Sequence, residues 1–336
     1  MTLGMPGLRI GIAGCGRAAR IHVERLLALP EIALVGCADP DRSSAENLAT
    51  RIAAQRQLDK IPSFDDHREL LKTLAPDALL IFTPHLSHYR IAMDALQAGC
   101  HIFVEKPLST NLQEAIDIVG LARGRSLKVA VGHQFRLRPS LREARTMLEE
   151  GAIGSLRLVT ATLAQNWLVI QAGAENSWRF DPKVAGGGIL ADAGDHLIDA
   201  LLWTTGRVAR EVLAIQCRTE SGLDIVTAAA IRLIDGTPSS LSISGVTPGF
   251  LLELNYFGDR GRIRATDQTL EVVDEQGRGP RLVPVDAVEE SIDSNFVAAL
   301  TRGTPICCPG DQALDTVRLL EAVSRSAATG QVVQVI

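Results

Sequence analysis

Two stretches of this chain combine residue types and spacings that could carry chemistry. The first is Gly11-Ile12-Ala13-Gly14-Cys15-Gly16-Arg17-Ala18-Ala19. Gly14 permits a tight turn, Gly16 lets the backbone approach a pyrophosphate, and Ala19 is small enough for close helix–sheet packing. The helix that opens here, with Cys15, Arg17 and Ala18 around its start, offers free N–H groups and a positive dipole end to phosphate. Asp39 stands 23 residues after Gly16. A carboxylate there accepts hydrogen bonds from ribose hydroxyls and repels a 2′-phosphate, which favours NAD over NADP. Arg42 could bind a 2′-phosphate instead, so NADP stays open.

The second stretch is Gly186-Gly187-Gly188-Ile189-Leu190-Ala191-Asp192-Ala193-Gly194-Asp195-His196-Leu197-Ile198-Asp199. On a helix turning about 100° per residue, Asp192, Asp195, His196 and Asp199 share an arc of about 100°. Ionisable groups on one face beside three glycines suit a substrate cleft better than a core. No Arg or Lys occurs in the stretch, which argues against simple surface pairing.

The elements that must position these residues follow from pattern. Residues 8–13, 32–38, 78–82, 102–104 and 128–131 read as buried strands. They alternate with helices over 17–29, 43–54, 66–74, 87–98 and 111–122. That spacing means right-handed βαβ units and a parallel sheet. After about residue 150, strands at 156–163, 211–218, 225–234, 239–246, 251–257 and 262–265 follow with little helix between them. Several alternate by twos, the mark of an antiparallel sheet with one covered face. A helix over 188–204 interrupts them. Helices over 291–300 and 311–328 and a strand at 332–336 close the chain. The reading is an α/β Rossmann domain over 1–130 and an α+β domain over 131–336, with a large, mostly antiparallel open sheet.

Composition sets limits. The chain has 336 residues, with 34 Lys and Arg against 39 Asp and Glu. A pI near 5.8 and no basic run disfavour nucleic acid as a partner. No apolar run approaches the length of a membrane span, and residues 1–7 carry no basic region ahead of an apolar stretch. Six cysteines without a framework spacing read as reduced thiols, so a cytoplasmic location is expected. Aromatics are only 4%, so the core must rest on Ala, Val, Ile and Leu.

Glu105-Lys106-Pro107, at the end of a strand, joins the glycine turn into a larger pattern. Together they resemble the Gfo/Idh/MocA family of NAD(P)-dependent oxidoreductases. Thr83-Pro84-His85-Leu86-Ser87-His88, Gly151-Ala152-Ile153-Gly154 and the glycine triplet with Asp192, Gly194, His196 and Asp199 agree with it. The resemblance runs from about residue 8 to the C-terminus. It implies oxidation of a hydroxyl of a sugar, sugar derivative or cyclic polyol, as in inositol dehydrogenases.

In that reading His196 is the general base, Lys106 polarises the reacting oxygen, and Asp192 holds a substrate hydroxyl or orients the imidazole. Thr83, Pro84, His85, His88, Glu105 and Gln134 join the cofactor side. Arg136, Trp167, Trp178, Arg179 and Asp195 join the substrate side, the two tryptophans flanking a loop rich in Gln, Asn and Gly. Asp195 departs from the family, which usually has an uncharged residue there. His85 and His88 lack a third ligand nearby, so no metal is expected. Two alternatives stand beside a dehydrogenase: a redox-neutral enzyme with retained NAD, and a non-catalytic nucleotide sensor. An open sheet face must meet something, and the resemblance implies a homodimer or homotetramer through that sheet.

Overall fold

Leu8–Ala13 forms strand β1, whose residues are buried from Ile10 onward up to the glycine turn. In this computed structural model, which describes residues 7–173, 177–287 and 290–335, five more strands join it. They are β2 (Ile32–Ala38), β3 (Ser63–Phe64), β4 (Ala78–Ile81), β5 (His101–Val104) and β6 (Val129–Val131). The order is β3-β2-β1-β4-β5-β6, with every pairing parallel. This is the doubly wound order, whose ligand crevice lies where the chain direction across the sheet reverses, between β1 and β4. β3 escaped the sequence reading because two residues carry no periodicity.

The chain divides into two compact units. The first holds residues 7–109, 113–132 and 290–312. The chain thus returns to the Rossmann unit late, through helix Ile292–Thr301 and the stretch after it, where Val131 donates its N–H to the Cys308 carbonyl.

The second unit is built on a nine-stranded sheet. Its strands are β7 (Leu156–Gln165), β8 (Ala209–Arg218), β9 (Asp224–Leu233), β10 (Pro238–Ser244), β11 (Phe250–Gly258), β12 (Gly261–Thr266), β13 (Leu270–Val273), β14 (Arg281–Leu282) and β15 (Val333–Gln334). The order is β14-β13-β12-β11-β7-β10-β9-β8-β15, antiparallel everywhere except β10 on β7. Residue 336, expected in the last strand, lies outside the described residues, as do 174–176 of the expected loop.

One sheet face packs against helices. Leu141 and Ala144 of helix Pro139–Glu149, Leu197, Ile198 and Leu201 of helix Asp195–Thr205, and Leu319 and Val323 of helix Gly310–Thr329 share a core with Leu241, Ile243 and Leu254. The other face leaves Leu213 and Ile215 in the open, the latter 74% exposed.

The expected helix over 188–204 is not uniform. Leu190–Gly194 forms a π turn before helix Asp195–Thr205 begins. A π turn is wider than an α turn, so the even spacing does not hold across 190–194. No helix among the described residues is long and apolar enough to cross a membrane.

Candidate active site

In the first unit the nucleotide cradle is made by backbone. Gly14 has φ +88°, and a Cβ there would stand 2.7 Å from the Phe82 carbonyl, so only glycine fits. Gly16 is the N-cap of helix Arg17–Leu27 and offers no side chain to the helix start, which leaves the first N–H groups for a phosphate. Asp39, at the end of β2, accepts the Cys15 N–H on Oδ2 at 2.7 Å and the Asp41 N–H on Oδ1 at 2.9 Å. The acid and the glycine turn are therefore one rigid piece. Thr83 Oγ1 is buried with no hydrogen-bond partner among the described residues, as a hydroxyl prepared for a ligand would be. These features fit a dinucleotide.

Other residues expected on the cofactor side fall in different settings. Arg17 and Gln134 are exposed, and Ala18 and Pro84 half-buried. The Arg42 Nε donates to Glu46 Oε1 at 2.9 Å on the surface. His85 is 3% exposed and packs edge-on against His88. His88 has no exposed surface. Its Nδ1 lies 2.8 Å from the Pro107 carbonyl and its Nε2 3.0 Å from that of Thr83. Burial pushes its pKa down, although both carbonyls oppose the shift. His88 thus ties the Lys106-Pro107 loop to the segment that follows β4. Lys106 is 8% exposed, and the peptide joining it to Pro107 is cis.

In the second unit the ionisable helix is seated by side chains. Asp224, at the start of β9, accepts the N–H groups of Gly188 and Leu190 at 2.8 and 2.7 Å and so caps, from the sheet, the π turn that leads into the helix. Asp192 Oδ2 receives the Trp167 indole N–H at 2.8 Å and the Arg179 Nε at 2.9 Å. The Arg179 guanidinium in turn lies 4.3 Å above the Trp178 ring. His196 stacks on Phe135, centroids 4.6 Å apart and planes 19° apart, and meets His133 edge-on.

Asp195 Oδ2 is 2.5 Å from His133 Nε2. Asp199 takes both Nε and Nη2 of Arg136, at 2.9 and 2.7 Å. Burial alone would raise the Asp199 pKa, but the charges on His133 and Arg136 outweigh it and hold the carboxyl below its usual range.

Three residues expected to meet substrate are therefore interior. Arg136 is 2% exposed, Asp195 0% and Trp167 1%. The counter-charges come from outside the 186–199 stretch, from residues 133–136 and 179, in interior rather than surface pairs. Asp192 and His196 keep 7% and 8% of their surface, whereas Asp195 and Asp199 keep none. The sequence reading missed Asp224 and His133. An acid opening a strand after a Ser-Gly turn was the only signal for Asp224, and for His133 its place beside Gln134.

The two units thus define a dinucleotide-binding enzyme scaffold with a histidine–aspartate helix on its second unit. Residues 8–133 match the family model described as the oxidoreductase family NAD-binding Rossmann fold, and residues 141–264 match the Gfo/Idh/MocA C-terminal domain. The chain belongs to the Gfo/Idh/MocA family of NAD-binding oxidoreductases.

Among its relatives is UDP-N-acetylglucosamine 3-dehydrogenase of Acidithiobacillus ferrooxidans, 26% identical over 90% of this chain and 92% of that one. Another is dTDP-3,4-didehydro-2,6-dideoxy-alpha-D-glucose 3-reductase of Streptomyces antibioticus, 28% identical over 97% and 98%. A solved levoglucosan dehydrogenase, in complex with NADH and L-sorbose, shares the fold with a TM-score of 0.86 and 22% identity, over 99% of this chain and 100% of that one.

Proposed function

We propose that this chain oxidises a hydroxyl of a sugar, sugar derivative or cyclic polyol, with NAD as the hydride acceptor. The names of both relatives put their reaction at position 3 of a nucleotide-linked sugar, which supports a carbohydrate substrate. The observation that carries the reading is the selective exposure on one buried helix: Asp192 and His196 retain surface where Asp195 and Asp199 have none.

When bound, the nicotinamide supplies the acceptor for the hydride leaving the carbinol carbon. His196 takes the hydroxyl proton, its ring plane fixed by the stack on Phe135. Asp192, held by Trp167 and Arg179, accepts from a substrate hydroxyl or orients the imidazole. The Lys106 ammonium donates to the reacting oxygen and stabilises the negative charge that develops on it. Trp178 and Arg179 border the substrate. A cytoplasmic location fits six free cysteines. The open sheet face, with Leu213 and Ile215 exposed, would be covered by a second copy.

A panel of sugars and inositols with NAD and with NADP, followed by absorbance of the reduced nicotinamide, tests the reading. One or more should give NADH. Lys106→Ala and His196→Ala should each remove most turnover while NAD still binds. Full turnover in either variant refutes that residue's role, and retained NAD with product but no net NADH would mark the redox-neutral chemistry instead.

A further inference from the structure

Glu105, the first residue of the Glu-Lys-Pro triplet, is held from two sides. Its Oε2 accepts the backbone N–H of Lys106 at 3.1 Å, and its Oε1 lies 3.0 Å from Nε2 of His22. His22 comes from helix Arg17–Leu27. Its other ring nitrogen, Nδ1, is 2.5 Å from Oδ1 of Asp293 on helix Ile292–Thr301. Arg25 Nη1 approaches the second Asp293 oxygen at 3.4 Å. The imidazole is 5% exposed and stacks on Phe82, centroids 4.5 Å apart. Gly132 closes the far side: a Cβ there would stand 2.7 Å from Glu105 Oε1.

Each ring nitrogen of His22 faces a carboxylate oxygen, so both must donate and the ring must carry its proton. Burial works against the charge, but contact with Asp293 and Glu105 outweighs it and pushes the pKa up to about 9. Two carboxylates around a cation, with Asp293 fully buried and only 19% of the Glu105 side chain exposed, are a poor way to gain stability, since an apolar trio of the same volume packs as well without desolvating charge. What the arrangement does supply is direction, because both Glu105 oxygens are engaged, one by His22 and one by the Lys106 N–H.

We propose that His22 is a positioning residue for Lys106: backed by Asp293, it fixes the Glu105 carboxylate, and that carboxylate fixes the backbone from which the Lys106 side chain departs. The inference rests on the role given to Lys106 above. The chain of contacts runs through three elements far apart in sequence and ends on the one residue of the triplet that carries the reacting charge.

The test uses the full chain, NAD and the sugar the panel identifies. Lys106→Ala decides the underlying reading by itself: full turnover there refutes the role of Lys106 whatever His22 does. With Lys106→Ala inactive, His22→Gln should lower kcat about tenfold while the KM for NAD stays within about twofold. Glu105→Gln should do the same. The double variant should be no slower than Glu105→Gln alone, because both changes cut the same link.

Wild-type kcat in His22→Gln, or losses that multiply in the double variant, would overturn the proposal. Should His22→Gln not fold, Gly132→Ala carries the kinetic test. It leaves every charge in place but displaces Glu105, and an unchanged kcat there refutes the link. In the wild-type protein, nitrogen NMR of His22 should show both ring nitrogens protonated at pH 7.5, and a neutral ring would equally sink the idea.

Discussion

Both units bury a histidine among carboxylates, and they balance the charge differently. In the first, His22 stands between Glu105 and Asp293, with Arg25 reaching Asp293 from a position 40% exposed. In the second, His133 meets Asp195 and Asp199, and Arg136, whose guanidinium is 2% exposed, grips Asp199 with two hydrogen bonds. The first cluster thus depends on a cation that can lose its proton. The second is anchored by one that cannot. The pair of clusters teaches that a buried carboxylate–histidine contact says little until the remaining counter-charge is counted.

Removing the permanent cation should give the largest effect. Arg136→Ala leaves Asp199 buried without its guanidinium, a loss on the order of 3–5 kcal/mol. Urea unfolding at pH 7.5 should show it as a large drop in midpoint. A loss below about 1 kcal/mol would mean that His133 and the Thr316 hydroxyl, 3.3 Å from Asp199 Oδ1, suffice to hold the charge.

Proton loss at His22 should come next, and at the opposite end of the pH scale. Its pKa in the folded chain, about 9, lies above the ordinary value of 6.5. A group whose folded pKa is raised stabilises fully below its unfolded pKa and loses that contribution as pH rises through the folded one. Stability should therefore decline between about pH 6.5 and 9, by on the order of 3 kcal/mol from this group. Asp199 has the reverse sign, because its pKa is lowered; its contribution is present at neutral pH and lost only on acidification. Urea midpoints from pH 6 to 10 should show an alkaline decline in wild type that is nearly absent in His22→Gln. Parallel curves for the two proteins would break the contrast between the clusters.

The cap supplied by Asp224 acts through plain hydrogen bonds by comparison. Asp224→Ala leaves the Gly188 and Leu190 N–H groups without their acceptor, a loss of about 1–2 kcal/mol. Asp224→Asn, which keeps one acceptor oxygen, should recover part of it. Because the cap sits just ahead of Asp192, kcat should fall more than stability alone explains. A variant with normal kcat would show that Trp167 and Arg179 seat Asp192 unaided.

The two units also differed in how far their sequence could be read. The cradle of the first unit is local: Gly14, Gly16 and the acid at the end of β2 lie within one βαβ unit, and glycine is there because backbone geometry requires it. Five of the six parallel strands were visible as apolar runs because they too are local; β3, only two residues long, was not. In the second unit the helix with Asp192 and His196 was legible as a motif, but its setting was not. Arg136 meets Asp199 and His133 meets Asp195 across more than sixty residues, and Trp167 meets Asp192 across 25. Spacing rules carry no information about such pairs. The π turn at Leu190–Gly194 hid for a different reason: a helical wheel assumes even pitch, and nothing in Leu-Ala-Asp-Ala-Gly marks the extra width.

Arg42 provides the small-effect end of the comparison, an ion pair on the open surface. Its Nε donates to Glu46 Oε1 at 2.9 Å with both side chains more than half exposed, and Glu46 raises its pKa. Water and salt screen such a pair, so its removal should leave unfolding midpoints unchanged. The cofactor consequence is sharper. Asp39 is pinned by the N–H groups of Cys15 and Asp41, so its carboxylate is fixed beside the glycine turn. Arg42 is turned along its own helix toward Glu46. Arg42→Ala should thus shift the KM for NAD by less than about twofold, and NADP should remain the poorer cofactor. Asp39→Ser, by contrast, should narrow the preference for NAD by about tenfold or more, because it removes the like charge facing the phosphate. If Arg42→Ala instead raises the KM for NADP strongly while leaving NAD alone, the guanidinium leaves Glu46 when a 2′-phosphate arrives. The chain would then be built to accept both cofactors, with Asp39 setting the ribose contact and Arg42 the phosphate.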